Sequence, residues 1–146
     1  MALWLCKQEP DCYSYDDLAR DGTTLWDGIS NALARKHLRL MKPGDRVFFY
    51  HTGKVKAIVG EMVVASEPRP DPKADDDAAV AVEMKAVRKL ARPVGLTEIK
   101  ADRLLAGWDL VRLSRLSVVP VTDGQWKRVE TLAAQKEPKS KSDRLK

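Results

Sequence analysis

The alternation of apolar and polar side chains along this chain switches between strand-like and helix-like periods. Residues 2–7, ALWLCK, form a short and nearly continuous apolar run, the pattern of a buried first strand. Ser14 followed by Asp17 has the form of a capping box and predicts a short helix over DDLAR, ending at Asp21-Gly22. From Ser30 to Met41 the period is helical. Leu33, Ala34, Leu38 and Met41 share one face there, with Asn31, Arg35 and Arg39 as a polar stripe opposite. Lys42-Pro43-Gly44-Asp45 is a turn; RVFFYH then reads as a strand, and TGK as a hairpin into VKAIVGEMVVASE. Gly60 inside that last strand predicts a bulge or a close backbone approach.

The proline-rich acidic stretch SEPRPDPKADDD is too polar to fold alone. Beyond it AVAVEMKAVRKL alternates again, Val80, Val82, Met84 and Ala86 facing one way and Glu83 and Lys85 the other. Leu96 to Leu105 reads as a helix with Thr97 as N-cap, and RLSVVPV (115–121) as a strand. Thr122 with Gln125 caps a last helix that carries Trp126, Val129 and Ala133 on one face. Five to six strands between short helices, without internal repeats, predict an α+β fold. The expected architecture is a small, partly closed mixed β-barrel flanked by those helices.

A length of 146 residues suits one domain, placed here at 1–134, followed by a charged tail (135–146) expected to be disordered. No apolar run approaches the roughly 20 residues that span a bilayer. The start, MALWLCKQEP, lacks a basic leader, so no secretory signal is expected. Cys6 and Cys12 match neither zinc spacing nor a disulfide framework. These features predict a reduced, cytoplasmic, monomeric protein with no membrane contact, metal or cofactor. Of the net charge of +5, the last twelve residues supply five bases and two acids. Distribution is more informative. Between Ile29 and Ile58 seven bases face one acid, Asp45, whereas Val59 to Ala78 carries Glu61, Glu67, Asp71, Asp75, Asp76 and Asp77. A basic face beside an acidic loop orients a polyanion, although a solvated basic surface gives the same pattern.

Support for catalysis is thin: the chain has no nucleophile elbow and no phosphate-binding glycine loop. His37 and His51 belong to no metal pattern, and His37 sits in the apolar sector of its helix as a satisfied core histidine would. An enzyme acting on a nucleotide or modified base, with Glu9 or His51 as acid or base, stays open as an alternative. So does a domain whose basic surface meets an acidic protein partner. Trp4, Trp26, Phe48, Phe49 and Tyr50 lie within or beside the basic half. Flat aromatic faces beside a basic track suit an unstacked base. Trp26, next to Asp27-Gly28, is either core or the floor of a pocket. Asn31 is either a helix cap or a reader of a base edge.

WLCKQEPDCYSYDDL, LWDGISNALARKHLRLMKPGDRVFFYHT, IVGEMVV with EPRPDP, and RLSVVPV, in this order, resemble the EVE domain family of the PUA-like superfamily. YTH domains, readers of N6-methyladenosine, are more distantly similar; Lys7-Gln8-Glu9 resembles their Lys-Ser-Asn run, and Trp26 a cage tryptophan. The resemblance implies a PUA-like barrel and a non-catalytic, nucleic-acid-binding domain, for DNA or RNA, with a pocket for a modified base. By position the pocket is expected to comprise Lys7, Gln8, Glu9, Trp26, Asp27, Asn31, Tyr50 and His51, closed by Arg115 and Ser117. Trp26 is expected to stack on the base, and Asn31 with the backbone at Asp27 to read its edge. Lys7, Arg35, Lys36, Arg39 and Lys54 are expected to hold phosphates. The chain departs from the family pattern at Gln8 (serine expected), Ser30 (arginine), Ala32 (aromatic) and Lys36 (asparagine), and the loop at His51-Thr52-Gly53 is short.

Overall fold

A computed structural model describes residues 2–135; the predicted tail positions 136–146 lie outside the described residues. The elements in chain order are β1 (Leu3–Gln8), α1 (Tyr15–Asp21), β2 (Thr23–Trp26), α2 (Ala32–Leu40), β3 (Arg46–His51) and β4 (Ala57–Val64). They continue with β5 (Arg69–Pro70), β6 (Val80–Gly95), α3 (Leu96–Ala101), α4 (Asp109–Arg112), β7 (Val118–Val121) and α5 (Asp123–Ala134). The strands run in the order β2-β6-β4-β3-β1-β7, with β5 paired to β6. Among the described residues only β1 and β3 pair in parallel. Among the described residues no pairing joins β2 to β7, so the expected barrel stays an open, mixed α+β sheet.

Both faces of the sheet are covered, which explains the run of three apolar residues at the centre of β3. Phe48 stacks on Trp126 of α5, centroids 3.6 Å apart and planes 8° apart. Phe49 takes the other face and meets Tyr15 and Trp26 edge-on, both at 5.4 Å. Both predicted capping boxes form, at Ser14/Asp17 and Thr122/Gln125. The loop ahead of β3 is pinned by buried Asp45, whose carboxylate accepts from the Trp4 indole at 3.1 Å and from the Ala2 and Lys42 amides.

Several elements differ from the expectation, each for a physical reason. β2 was not anticipated: its four residues are too few for a period, and its pairing with β6 is long-range. β6 runs five residues beyond the predicted strand to Gly95, because β4 supplies partners as far as the Ala57–Gly95 pair. The following helix therefore starts from Gly95, not from Thr97 as N-cap, and ends at Ala101. Leu33, expected on the buried face of α2, is 40% exposed. His37 packs against Trp4 at 5.7 Å, yet its buried Nδ1 has no hydrogen-bond partner among the described residues, so it is not the satisfied core histidine the pattern implied.

Gly60 combines both roles expected of it. The register of β4 shifts beside it, and the ring of buried Tyr15 lies where its Cβ would be. The Tyr15 hydroxyl donates to the Glu61 carbonyl at 2.7 Å, so the ring has no free direction to retreat. Gly60→Ala is expected to cost about 1–3 kcal/mol of overpacking, measured as a lowered midpoint in chemical denaturation; a wild-type midpoint would show that the Tyr15 ring yields.

Candidate functional site

Three strand ends build the site. Lys7 and Gln8 close β1 opposite Tyr50 and His51 of β3, and β2 ends at Trp26. Alternation along β1 sends these two residues to different surroundings. Gln8 lines a cavity of about 340 Å³ with Tyr13, Thr24, Trp26, Asp27 and Lys73. Lys7 instead lies 5.7 Å over the Tyr50 ring and donates from Nζ to the Ser114 carbonyl at 2.9 Å. Its backbone N–H donates to the Ser117 carbonyl. Burial lowers the pKa of the Lys7 ammonium and pushes the Tyr50 phenol up to about 12, so Tyr50 stays neutral at physiological pH.

The expected pocket residues thus separate into groups. Gln8, Trp26 and Asp27 share the cavity. Asn31 and Arg115 line a second depression of about 330 Å³, with Leu33 and Leu113. Lys7, Tyr50 and Ser117 tie β1, β3 and the approach to β7 together. Glu9 is exposed in the following loop, and its carboxylate lies 3.7 Å from the Cys12 thiol. His51 lines neither of these two depressions and lies edge-on to Phe49 at 5.4 Å. Tyr13, Thr24 and Lys73 were missed. Tyr13 immediately precedes a cap, its hydroxyl donating to Asp21 at 2.9 Å, and Lys73 lies in the acidic loop, which gave no periodic signal.

Trp26 is only 3% exposed. It is the last residue of β2, not part of the turn itself, and it joins the core through Phe49. The turn follows at Gly28, whose positive φ of 71° suits glycine and whose N–H donates to Asp71 at 2.9 Å. Asp27 has one ion-pair partner among the described residues, Lys73 at 3.8 Å. Gln8 accepts through Oε1 from the Glu9 amide. Asn31 is the N-cap of α2, its side-chain oxygen accepting from the Ala34 N–H at 2.9 Å.

Of the basic residues expected at phosphates, Arg35 and Arg39 have protein partners. Arg35 pairs with Asp76 at 2.6 Å, and Arg39 donates to the Ala78 carbonyl. Lys36 and Lys54 are exposed. A larger cavity, about 740 Å³, lies between the end of β6, α3 and α5. No sequence-expected site residue lines it, and its carboxylates Glu98 and Asp102 are already paired with Arg92 and Arg128. Among the described residues no cluster of His, Cys, Asp and Glu is arranged to hold a metal, and no helix is long and apolar enough to cross a membrane.

The open mixed sheet, its flanking helices and the cavity at the end of β2 define an α+β protein of the PUA-like type. The family model described as "EVE domain" matches residues 2–132, and the chain belongs to that family. It is 31% identical to thymocyte nuclear protein 1 of Homo sapiens over 92% of this chain and 75% of that one. The NMR structure of Rpa0253 from Rhodopseudomonas palustris is 40% identical, with a TM-score of 0.85 over 90% of this chain and 92% of that one. Human THYN1 in complex with 5-methylcytosine-containing DNA is 29% identical, with a TM-score of 0.87 over 93% of this chain and 99% of that one.

His51 Nε2 accepts from the Tyr15 N–H at 3.0 Å, which requires a neutral ring. Burial lowers its pKa; Asp16 raises it and Lys89 lowers it, and these two pair with each other at 2.9 Å. A folded-state pKa below the unfolded value means that the contribution is full above about pH 6.5 and is lost as pH falls below that. Wild type is therefore expected to lose stability more steeply between about pH 7 and about pH 5 than His51→Gln, whose amide oxygen accepts without titrating. Urea midpoints at a series of pH values test this, and parallel pH profiles would remove His51 as the cause.

Proposed function

We propose that this protein is a non-catalytic nucleic-acid-binding domain that takes a modified cytosine, extruded from DNA, into the cavity at the end of β2. One observation carries the reading: Trp26 and Asp27 bring an aromatic ring and a carboxylate into the same cavity as the carboxamide of Gln8. A carboxylate accepts from the exocyclic amine of cytosine, and a carboxamide donates to the ring acceptors beside it. The cavity volume of about 340 Å³ lies at the small end of ligand pockets, which suits one base better than a dinucleotide. A base inside a duplex reaches such a cavity only by leaving the stack.

Human THYN1, similar over nearly the whole chain, was solved with DNA containing 5-methylcytosine, which supports the same ligand class here. Exposed Lys36, Lys54 and Arg115 supply backbone contacts. The ring nitrogen of His51 that accepts from Tyr15 is occupied as a proton acceptor, which favours binding over acid–base chemistry.

Fluorescence anisotropy with short duplexes carrying cytosine, 5-methylcytosine or thymine at one position, and with the matching RNA, tests the assignment. The 5-methylcytosine duplex is expected to bind about tenfold tighter than the unmodified one, near 1.4 kcal/mol. Asp27→Asn is expected to remove most of the preference for cytosine bases over thymine while leaving the fold intact. Equal affinity of wild type for all duplexes would overturn the base reading, and tighter binding of the RNA would overturn DNA as the target.

A further inference from the structure

The basic side of α2 is covered by the loop that follows β5. Asp71 starts this strap, its carboxylate accepting from the Gly28 and Lys73 amides, each at 2.9 Å. Asp76 turns the strap back, Oδ1 accepting from the Ala78 N–H while Oδ2 receives the Arg35 guanidinium at 2.6 Å. Arg35 Nε donates to the Ile29 carbonyl, and Arg39 donates to the Ala78 carbonyl. The Arg35 side chain is 15% exposed, whereas Asp76 is 52% exposed. Two arginines one helical turn apart, close in sequence to the Trp26–Asn31 turn, thus hold acceptors supplied by the strap.

A carboxylate oxygen on an arginine fork occupies the place that a phosphate oxygen takes in nucleic-acid complexes. The carboxylate side of this pair is open to solvent, and a phosphodiester that also gains from counterion release competes with it for Arg35. We propose that Arg35 and Arg39 form a masked phosphate-binding face, and that Asp76 is an internal competitor which a DNA backbone phosphate replaces when the neighbouring base enters the cavity. This rests on the nucleic-acid reading above. Lys73 couples the two events, because its amide donates to Asp71 within the strap and its ammonium reaches the Asp27 carboxylate at 3.8 Å. Exchange at Asp76 is thereby linked to the cavity mouth.

The test is equilibrium binding of methylated and unmethylated duplexes to wild type, Asp76→Asn, Asp75→Asn, Arg35→Gln and the Arg35→Gln/Asp76→Asn double variant, at salt concentrations from roughly 50 to 200 mM. Asn at 76 keeps the acceptor for Ala78 and removes the charge that holds Arg35. Asp76→Asn is expected to bind both duplexes about two- to fivefold tighter with an unchanged log–log salt slope, because the phosphate contact to Arg35 forms in both proteins, whereas Arg35→Gln is expected to lose about 0.9 of the slope. Asp75→Asn, which removes the same charge from the same loop, is expected to give a smaller gain. In the Arg35→Gln background the gain from Asp76→Asn is expected to vanish. Equal gains from both asparagine variants, a gain that survives without Arg35, or weaker binding by Asp76→Asn would each overturn the competitor while leaving the base reading standing. Wild type that binds neither duplex would overturn both.

Discussion

The ring of Phe49 is the contact on which the site depends. Trp26, Tyr15 and His51 all meet it edge-on, with centroids at 5.4 Å. Each such pair contributes about 0.5–1.5 kcal/mol beyond the area it buries. The geometry also sets positions. Trp26 comes from an edge strand of four residues that pairs only with β6, and such a strand end frays unless something holds it. Phe49, in the middle of the sheet, provides that hold. Gly60 belongs to the same unit, since the absence of its side chain lets the Tyr15 ring reach Phe49.

A second core on the opposite face leaves the first free to shape a cavity. There Phe48 stacks on Trp126, Arg46 lies 4.6 Å over the Trp126 ring, and buried Glu61 accepts from both Arg46 and Arg88. Glu130 of α5 closes the network by pairing with Arg88 at 2.8 Å. A buried carboxylate with two arginine partners is costly to break and fixes α5 against β3, β4 and β6. On the site face a nearly buried Trp26 presents an immobile wall. Little side-chain freedom then remains to be lost when a flat ligand packs beside it.

The regular parts of this fold were legible because their signals are local. Ser14/Asp17 and Thr122/Gln125 mark helix starts by side-chain chemistry alone, and RVFFYH is a strand by composition in any context. The extent of β6, the existence of β2 and the open sheet follow from pairing across long stretches of chain, which no window of sequence contains. The candidate cavity was legible in part of its lining and not in its geometry. Gln8, Trp26 and Asp27 do share a cavity, whereas Asn31 and Arg115 line a different one because Asn31 is used as a cap. Tyr13 and Lys73 enter by tertiary contact only.

The charge pattern carries the remaining lesson. Seven bases between Ile29 and Ile58 beside six acids between Val59 and Ala78 read as a surface meant for a polyanion. Folding spends part of that asymmetry internally: Asp76 goes to Arg35, Glu61 to Arg46, and Asp45 to a tryptophan and two amides. The pKa values of Asp71 and Asp76 are lowered first by backbone N–H groups, from Gly28 and Lys73 and from Ala78 respectively, and only then by arginine. Backbone N–H groups thus hold the strap at Asp71 and shape it at Asp76 independently of the ion pair to α2. Such a loop keeps its shape when the arginines change partner, so the exchange involves the Arg35 and Arg39 contacts and no unfolding of the loop.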